Sequence, residues 1–594
     1  MPYRVILLLV IVSLWSRDVH PETVDGILVD EVDLEEIFED IPVIDFGRVS
    51  QRDIADLPSF SPEGAHQVIA YRDSLGDVDV NAVSVDAIPG LTALERLVLE
   101  QALGQHTPVE YPEIRGTLRS GVIHRPDREE PEESKYYIKC ATTFSEKLTG
   151  FLIGERDPFE PRVMDNLSAS LVARLDENGT RLVLGDYRPA FGQRLLFSRY
   201  TRNYVNGADA FFSEPSTVEN TFFEESGFLR GGHFTFDGGA VSLGLWTSRR
   251  HLDANLDDAG EAVTIRTTGL HTGGERGNLT ETLHAAQISL RGTDAWHLEV
   301  LGMTSAYAPA LSRESDERSF NKPDGARFSY LSASGGIDTA MSRFFFEHVV
   351  AHDKEHASVV GLQMRNERVK SCLVARDYSA GYWALRAAGI NSFGQVGNER
   401  GIYAGLGASL TRRISADASF DLARTVSRTP TVPMPRSRQR MAVELRAPVT
   451  RTLSGSVTYR SVREHDGNGA RGTMKIAVDG QASRGIPFDW RFIAAGTWGG
   501  GEQGIYGECG LTGKLEWVGW KMSAGLFAIP SYDARYYRYE QDVPGRGLTR
   551  PVWGDGGSFI SVVTLGALSA RYRYLTSDET GSGSEVTVQS DIRF

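Results

Sequence analysis

The sequence is poor in cysteine, in long apolar runs and in positive charge. Its 594 residues include three cysteines, Cys140, Cys372 and Cys509. So few, and so far apart, they predict neither a disulfide framework nor a metal cluster. The net charge of −15 argues against a nucleic-acid partner, because binding phosphates needs a surplus of lysine and arginine. We therefore expect no metal, no cofactor and no nucleic-acid partner.

Apolar runs are short. Residues 5–12 read VILLLVIV after Arg4, and a helix of this length would cover only about half a bilayer. The run predicts a secretory signal peptide over residues 1–16, with a buried N-terminal strand as the alternative. The acidic residues 17–43 predict a solvated linker. No later stretch approaches the ~18 apolar residues of a membrane helix.

Residues 44–105 have the spacing of short helices. Ser50 and Asp53 form a capping-box pattern, and Pro62 opens a second helix. Thr92 and Glu95 repeat the capping pattern further on. We expect a small helical unit packed on the apolar residues Leu57, Ala65, Val68, Ile69, Leu94 and Leu97.

From about residue 110 the apolar residues recur with a period of two. In residues 414–422, Ile414, Phe420 and Leu422 occupy one face, and Asp417 and Asp421 the other. Such runs of about 8–11 residues, separated by turn sequences, predict antiparallel strands. At roughly 18–22 residues per strand and turn, we expect 22–26 strands over residues 135–594. Residues 106–134 are expected to be a linker or a plug, with a first strand as the alternative.

Period two also fits a soluble sandwich, a solenoid or a propeller. The 62 glycines and the 10 % aromatic content are typical of membrane barrels. A propeller would need a fixed repeat of 40–50 residues, and the sequence shows none. The final strand ends on Phe594, which resembles the terminal signal read by the outer-membrane assembly machinery. We therefore predict a mainly β fold, a large antiparallel transmembrane β-barrel in the lipid bilayer of a bacterial outer membrane.

Within that barrel, the alternation assigns side chains to two environments. Polar residues are expected to line the lumen, namely Asp417, Asp421, Arg571 and Arg573. Apolar residues are expected to face lipid, namely Ile414, Phe420, Leu422, Leu526, Tyr572 and Tyr574. Whether the lumen is open or plugged stays undecided at this stage.

The helical region resembles the helix-hairpin-helix repeat of competence-type DNA-binding proteins. The resemblance is carried by residues 57–76 (LPSFSPEGAHQVIAYRDSLG) and 84–91 (SVDAIPGL). The turns of the repeat correspond to Ser59, Phe60, Ser61, Pro89, Gly90 and Leu91. Family members bring glycine amides close to a DNA phosphate, and serine at positions 59 and 61 removes that freedom. We expect a module that docks a protein, with DNA uptake as the alternative.

Helical module and β region together resemble a family of exported helix-hairpin-helix barrel proteins of Bacteroidetes-like bacteria. The matching blocks are residues 184–197 (LGDYRPAFGQRLLF), 227–236 (GFLRGGHFTF) and 267–292 (TTGLHTGGERGNLTETLHAAQISLRG). The resemblance implies an outer-membrane location with the helical module in the periplasm, and no settled activity.

The same blocks contain the polar residues that an enzyme would need. These are Asp186, Tyr187, His233, His271, Glu275, Glu281 and His284. Their spacing forms no catalytic constellation, so we predict a non-enzymatic channel, or an anchor and translocation component, with an outer-membrane hydrolase as the alternative.

Overall fold

The computed structural model describes most of residues 114–594 and parts of the helical region. The gaps after residue 114 are 127–133, 146, 159–163, 165, 177–178, 200–207, 209–216, 224–226, 267–275, 293–294, 314–321, 412, 429–434, 451, 465–469, 483–487 and 516. Before it, residues 44, 46, 49–55, 57, 60, 62–74, 85, 88, 91, 99, 102 and 103 are described. The expected signal peptide and acidic linker lie outside the described residues. No described helix is long and apolar enough to cross a membrane.

The described elements are two helices followed by strands. The helices are α1 (Gln51–Ala55) and α2 (Pro62–Ser74). The strands in the first half are β1 (Arg115–His124), β2 (Lys135–Ser145), β3 (Leu148–Arg156), β4 (Asn166–Arg174), β5 (Arg181–Arg188), β6 (Val218–Glu219), β7 (Leu229–Asp237), β8 (Val241–Leu256), β9 (Ala262–Arg266), β10 (Leu279–Gly292), β11 (Trp296–Leu311), β12 (Gly325–Asp338), β13 (Ser342–Ala351) and β14 (His356–Arg365). Those in the second half are β15 (Val369–Tyr378), β16 (Glu399–Ser409), β17 (Ser415–Arg424), β18 (Ser437–Pro448), β19 (Leu453–Glu464), β20 (Ala470–Ala482), β21 (Phe488–Gly499), β22 (Glu502–Leu515), β23 (Val518–Ile529), β24 (Tyr536–Gln541), β25 (Gly547–Val552), β26 (Gly554–Leu565), β27 (Leu568–Ser577) and β28 (Gly581–Arg593).

Twenty-four of these strands close into one antiparallel barrel. Each pairs with the next along the chain, and β1 pairs with both β2 and β28, which joins the two ends of the sheet. Closure gives every wall strand two partners and removes the exposed edges of an open sheet. The prediction of 22–26 antiparallel strands is confirmed. Outside the wall, β6 pairs with β5, β9 pairs with β8, and β24 pairs with β25 as a separate hairpin.

The barrel begins earlier than predicted. The sequence predicts a linker or a plug over residues 106–134 and a barrel from residue 135, with a first strand as the alternative. Instead β1 (Arg115–His124) is a wall strand, in register with β2 on one side and β28 on the other. Barrel closure requires a partner for the last strand, and β1 supplies it. Its apolar residues are too sparse for the local sequence to reveal this role.

Alternation along the strands separates an outward face from an inward one. On β8 the exposed side chains of Val241, Leu243 and Leu245 alternate with buried Ser242 and Trp246. The same pattern places large exposed apolar residues on the outside of every part of the wall. Successive side chains of a strand point to opposite faces, so a period of two produces one apolar outer surface.

The two ends of the barrel differ in their connections. At one end the strands are joined by short turns, such as the one from Leu565 to Leu568. At the other end they are joined by several long connections, of which residues 189–228, 379–398 and 530–553 are examples. An even number of antiparallel strands places the start of β1 and the end of β28 together, and both lie at the short-turn end.

The described part of the helical region has its own apolar core. Leu57, Ala65 and Val68 are buried in it, as predicted, and Ile69 packs against it while partly buried. Ile54 is buried there as well, and Leu94 and Leu97 lie outside the described residues. The capping box is present: the Ser50 N–H donates to Asp53 Oδ2 at 2.8 Å, and the Asp53 N–H donates to Ser50 Oγ at 3.2 Å. It satisfies amide groups that the first helical turn leaves without partners.

Candidate functional site inside the barrel

Three chain segments from the long-connection end fold into the barrel. We call them the first (residues 189–199), second (379–398) and third (530–553) inserted segments. Each contacts inward-facing side chains of the wall. The first two contribute to one apolar core with the wall strands β4–β16, whose buried members include Phe191, Leu195, Tyr382 and Ile390. A large part of the interior is therefore filled with protein.

The first inserted segment is held by a buried carboxylate of the wall. Glu347 Oε2 on β13 accepts hydrogen bonds from the N–H groups of Gln193 (2.5 Å) and Leu195 (3.2 Å). Gly192 has a φ of +51°, and a Cβ there would lie 2.7 Å from Glu347 Oε2. Only glycine combines this left-handed conformation with so close an approach. Tyr382 of the second segment donates to the Leu195 carbonyl at 2.7 Å and thereby joins the two segments.

The second inserted segment is held first by an ion pair. Arg386 Nη1 and Nη2 donate to the two oxygens of Glu281 on β10, at 2.8 and 2.5 Å. Tyr307 on β11 donates to the same carboxylate at 2.8 Å. A bidentate arginine–carboxylate pair fixes both distance and orientation, so it sets the depth at which the segment lies. Burial alone would lower the pKa of Arg386, but Glu281 outweighs it and keeps the guanidinium charged.

The same segment is held again at Ser392. The Ser392 N–H donates to Glu399 on β16 (2.9 Å), and its carbonyl accepts from Arg440 on β18 (2.6 Å). Ser392 Oγ also donates to Asp421 on β17. Arg376 on β15 binds both carboxylates, at 2.5 Å to Glu399 and 2.8 Å to Asp421. Four neighbouring strands thus converge on one residue of the segment.

The third inserted segment contains the β24–β25 hairpin, and Glu540 is its central contact. Glu540 accepts from Arg571 and Arg573 on β27, each at 2.8 Å. Arg571 also donates to Glu585 on β28 at 2.8 Å. Burial alone would raise the pKa of Glu540, but the guanidinium groups of Arg573, Arg550 and Arg571 hold it below its usual value.

The residues predicted to line the lumen all lie on the inward face, but three of them are buried. Asp421, Arg571 and Arg573 are covered by the inserted segments described above, and Asp417 is half-buried. The outward assignment also matches the exposure of Ile414, Phe420, Leu422, Leu526 and Tyr574, while Tyr572 is half-buried. The sequence pattern located the faces. It contained no sign that distant loops cover the inward one.

The polar residues singled out in the family blocks do not form one site. The ring of His233 stacks on Trp246 at 4.8 Å and lies 6.0 Å from Tyr187. Asp186 accepts two hydrogen bonds from Arg230, and Glu281 binds Arg386. His284 is exposed beside Thr247, and His271 and Glu275 lie outside the described residues. The described members therefore act as separate structural contacts.

The predicted turn residues of the helical module are only partly described. Phe60 and Leu91 are buried in the helical core, and Ser59, Ser61, Pro89 and Gly90 lie outside the described residues. The module contacts the barrel at its short-turn end, where Lys370 Nζ, inward-facing on β15, donates to the Ala55 carbonyl at 2.9 Å. Sequence reasoning did not anticipate this contact.

Phe594 extends the pairing that closes the barrel. Its N–H donates to the Gly116 carbonyl at 3.0 Å, and the Gly116 N–H donates to its carbonyl at 2.6 Å. Its side chain is half exposed. Recognition of this residue by an assembly machinery stays a prediction.

No metal cluster is present among the described residues. No group of three or more histidine, cysteine, aspartate or glutamate side chains there is arranged to hold an ion, and the three cysteines are free thiols.

No family model matches the chain, and no curated protein matches it. Among solved structures it is similar to the P pilus usher PapC translocation pore, with 9 % identity over 81 % of this chain and 99 % of that one and a TM-score of 0.37. It is also similar to the siderophore receptor PirA from Pseudomonas aeruginosa, with 8 % identity over 82 % and 81 % of the two chains and a TM-score of 0.37. At these values the likeness carries no information about function.

Proposed function

We propose that this protein is a non-enzymatic channel of the bacterial outer membrane, narrowed by its own inserted segments, with a periplasmic helical module that docks a protein partner. The observation that carries the proposal is the outer surface of the closed barrel. Exposed leucine, isoleucine, valine, methionine and phenylalanine side chains cover it on strands from β3 to β28. Monomeric soluble proteins rarely expose a continuous apolar surface larger than a few hundred Å².

A bilayer is the solvent that suits such a surface. Closed barrels and helices are the structures that satisfy every backbone hydrogen bond within a membrane, and this wall is closed. The wall strands contain about 8–16 residues, long enough for tilted strands of a membrane barrel.

The two ends of the barrel support an orientation. Outer-membrane barrels have short periplasmic turns and longer extracellular loops. The short-turn end carries both ends of the wall, and there Lys370 contacts Ala55 of the helical module. We infer that the module lies in the periplasm at the mouth of the barrel, where it would meet a protein partner.

The test is the ionic conductance of the purified full-length protein in a planar bilayer. We expect discrete channels with a conductance well below that of an unobstructed 24-stranded barrel, because the inserted segments occupy much of the lumen. Replacing residues 536–552 by a short glycine-rich turn removes the β24–β25 hairpin of the third inserted segment and should raise the conductance. A variant carrying Glu502→Gln, at an exposed turn, is the matched control and should conduct like the wild type.

Absence of current at every voltage, in both the wild type and the hairpin deletion, would contradict a channel. It would leave an anchoring role as the explanation for the membrane-type surface.

A further inference from the structure

The inward face of strands β18–β21 carries a row of cations that we call the cation ladder. Its members are Arg440 and Arg446 on β18, Arg460 on β19, Lys475 on β20 and Arg491 on β21. Each lies on the face opposite to exposed apolar residues of its own strand, such as Met441 and Met474.

Strand register distributes these cations evenly along the strand direction. We group inward-facing residues that are in register on neighbouring strands into levels. The first level contains Arg491, opposite Asp479 of β20. The second contains Arg446, opposite Ser456 of β19, which is itself opposite Ala477 of β20. The next inward level contains Lys475 opposite Thr458, and the one after it Arg460 opposite Thr473. Arg440 follows at the fifth level, opposite Val462. Inward levels two residues apart are about 6.7 Å apart, so the ladder extends roughly 27 Å along the strands.

Part of the ladder is open to water. The side chains of Arg460 and Arg491 are exposed although they point into the barrel, Arg446 and Lys475 are half-buried, and Arg440 is exposed although it donates to the Ser392 carbonyl of the second inserted segment. On β10–β16, by contrast, inward residues such as Glu281, Glu347 and Arg376 are buried beneath inserted segments. Water therefore reaches the interior at Arg460 and Arg491, and ions entering the barrel there would pass these side chains, whereas Ala495 further along β21 is buried against the third inserted segment.

Carboxylates neutralise the ladder only in part. Glu444 pairs with Arg446 at 2.6 Å, and Asp479 with Arg491 at 3.3 Å. On the flanking strands, Asp417 lies opposite Glu444, and Glu508 is engaged by Arg538 of the third segment.

Two members of the ladder have no such partner. Among the residues that the structure describes, no ion pair or hydrogen bond engages the Arg460 guanidinium or the Lys475 ammonium group. The ladder thus keeps a positive surplus within a chain whose net charge is −15.

We propose that the cation ladder binds small anions and conducts them through the barrel, so that anions are the solute class of this channel. The inference rests on the proposed channel function. Cations lining a narrow aqueous path between low-dielectric walls concentrate their potential there, and rings of arginine or lysine select anions in pores. The two unpaired cations, Arg460 and Lys475, are the residues that supply most of the selectivity.

The test measures reversal potentials of single channels in a KCl gradient. We expect the wild type to prefer chloride over potassium, and 5 mM inorganic phosphate to reduce the chloride current, on the order of twofold or more. The double variant Arg460→Glu with Lys475→Glu should lose the preference or invert it. Arg463→Glu is the control for the Arg460→Glu half of this variant, because it makes that charge reversal on the same strand at an exposed, outward-facing position, and it should keep the wild-type preference.

If the glutamate variant does not fold, Arg460→Gln with Lys475→Gln is used, and it should weaken the preference without inverting it. A wild-type channel that is unselective or prefers potassium would overturn the inference and leave the channel function intact. An unchanged preference in the Arg460 and Lys475 variants would overturn it as well.

A binding measurement separates the two proposals if no current is seen. Phosphate should raise the thermal unfolding midpoint of the wild type in detergent, and the glutamine variant should lose that shift. This result without current would support the anion site and contradict the channel. The absence of any shift, or an equal shift in both proteins, would overturn the anion site.

Discussion

Two sectors of the barrel share the same wall geometry but differ in what their inward-facing residues do. In strands β10–β16 inward residues such as Glu281, Glu347 and Arg376 are buried, and these three hold inserted segments by direct hydrogen bonds. In strands β18–β21 the inward residues are partly exposed, and charges such as Arg460 face water. We call these the filled sector and the open sector. The outward faces of the two sectors are equally apolar.

The comparison shows that polar residues on the inward face of a large barrel can have two different roles. In the filled sector a buried charge is a docking point, because a charge removed from water needs a partner. In the open sector a charge remains solvated and contributes to the potential of the passage. The same residue type, arginine, serves both purposes, and the distinction lies in which loop reaches it.

The strongest contrast should come from removing one arginine in each sector. Arg376→Ala leaves Glu399 and Asp421 buried without their cation, and we expect a loss of about 3–5 kcal/mol in the free energy of unfolding. Arg446→Ala in the open sector removes a partly exposed pair and should cost about 1 kcal/mol or less. Denaturant titration of the folded protein in vesicles measures both. Equal losses would show that the two sectors do not differ.

An arginine placed on the outward face of a wall strand should destabilise the barrel more than an arginine placed on the inward face. Phe420→Arg places a charge on the outward face of β17, with an expected cost of about 2–4 kcal/mol if the position lies near the bilayer midplane. Ser419→Arg makes a comparable change on the inward face next to it and should leave folding into vesicles close to normal. Wild-type-like folding of the Phe420→Arg protein would contradict the outward assignment.

Acidification should loosen the third inserted segment. The pKa of Glu540 is lowered by its arginine partners, so its contribution to docking is fully present above the unfolded-state value of about 4.3 and is lost as the pH falls below it. Protease accessibility of residues 530–553 should therefore rise at pH values below about 4. Glu540→Gln should raise accessibility already at neutral pH, whereas Glu502→Gln should not. A segment that stays protected in acid would show that other contacts suffice.

The smallest effect is expected at the contact between the barrel and the helical module. Lys370→Met removes the hydrogen bond to the Ala55 carbonyl and should weaken docking of the module by about 1–3 kcal/mol, without changing the unfolding of the barrel. Hydrogen exchange of α1 measures this. Lys514→Met, an exposed inward-facing lysine near the end of β22, is the control. Unchanged exchange in the Lys370 variant would mean that the module is held elsewhere.

Local patterns were sufficient for the wall and the helical core. The alternation around Phe420 and Asp421 predicted strand, face and approximate strand number, because side-chain direction in a strand depends only on position. The capping box at Ser50 and Asp53 was equally readable, since its two partners are three residues apart. For Arg115–His124 the local pattern left linker, plug and first strand open, because only the pairing with β28 reveals the closing strand.

The sequence by itself determined a series of antiparallel strands with one apolar face, and the face on which each charge lies, because these follow from a period of two in the chain. Closure through β1 and β28 is visible only in the tertiary structure. Only the tertiary structure decided which charges are buried. Arg386 lies 105 residues from Glu281, and Gln193 lies 154 residues from Glu347. No local pattern encodes such contacts, since they depend on where a long connection enters the lumen. That entry fills one sector, and in the other it leaves Arg460 exposed and Lys475 half-buried.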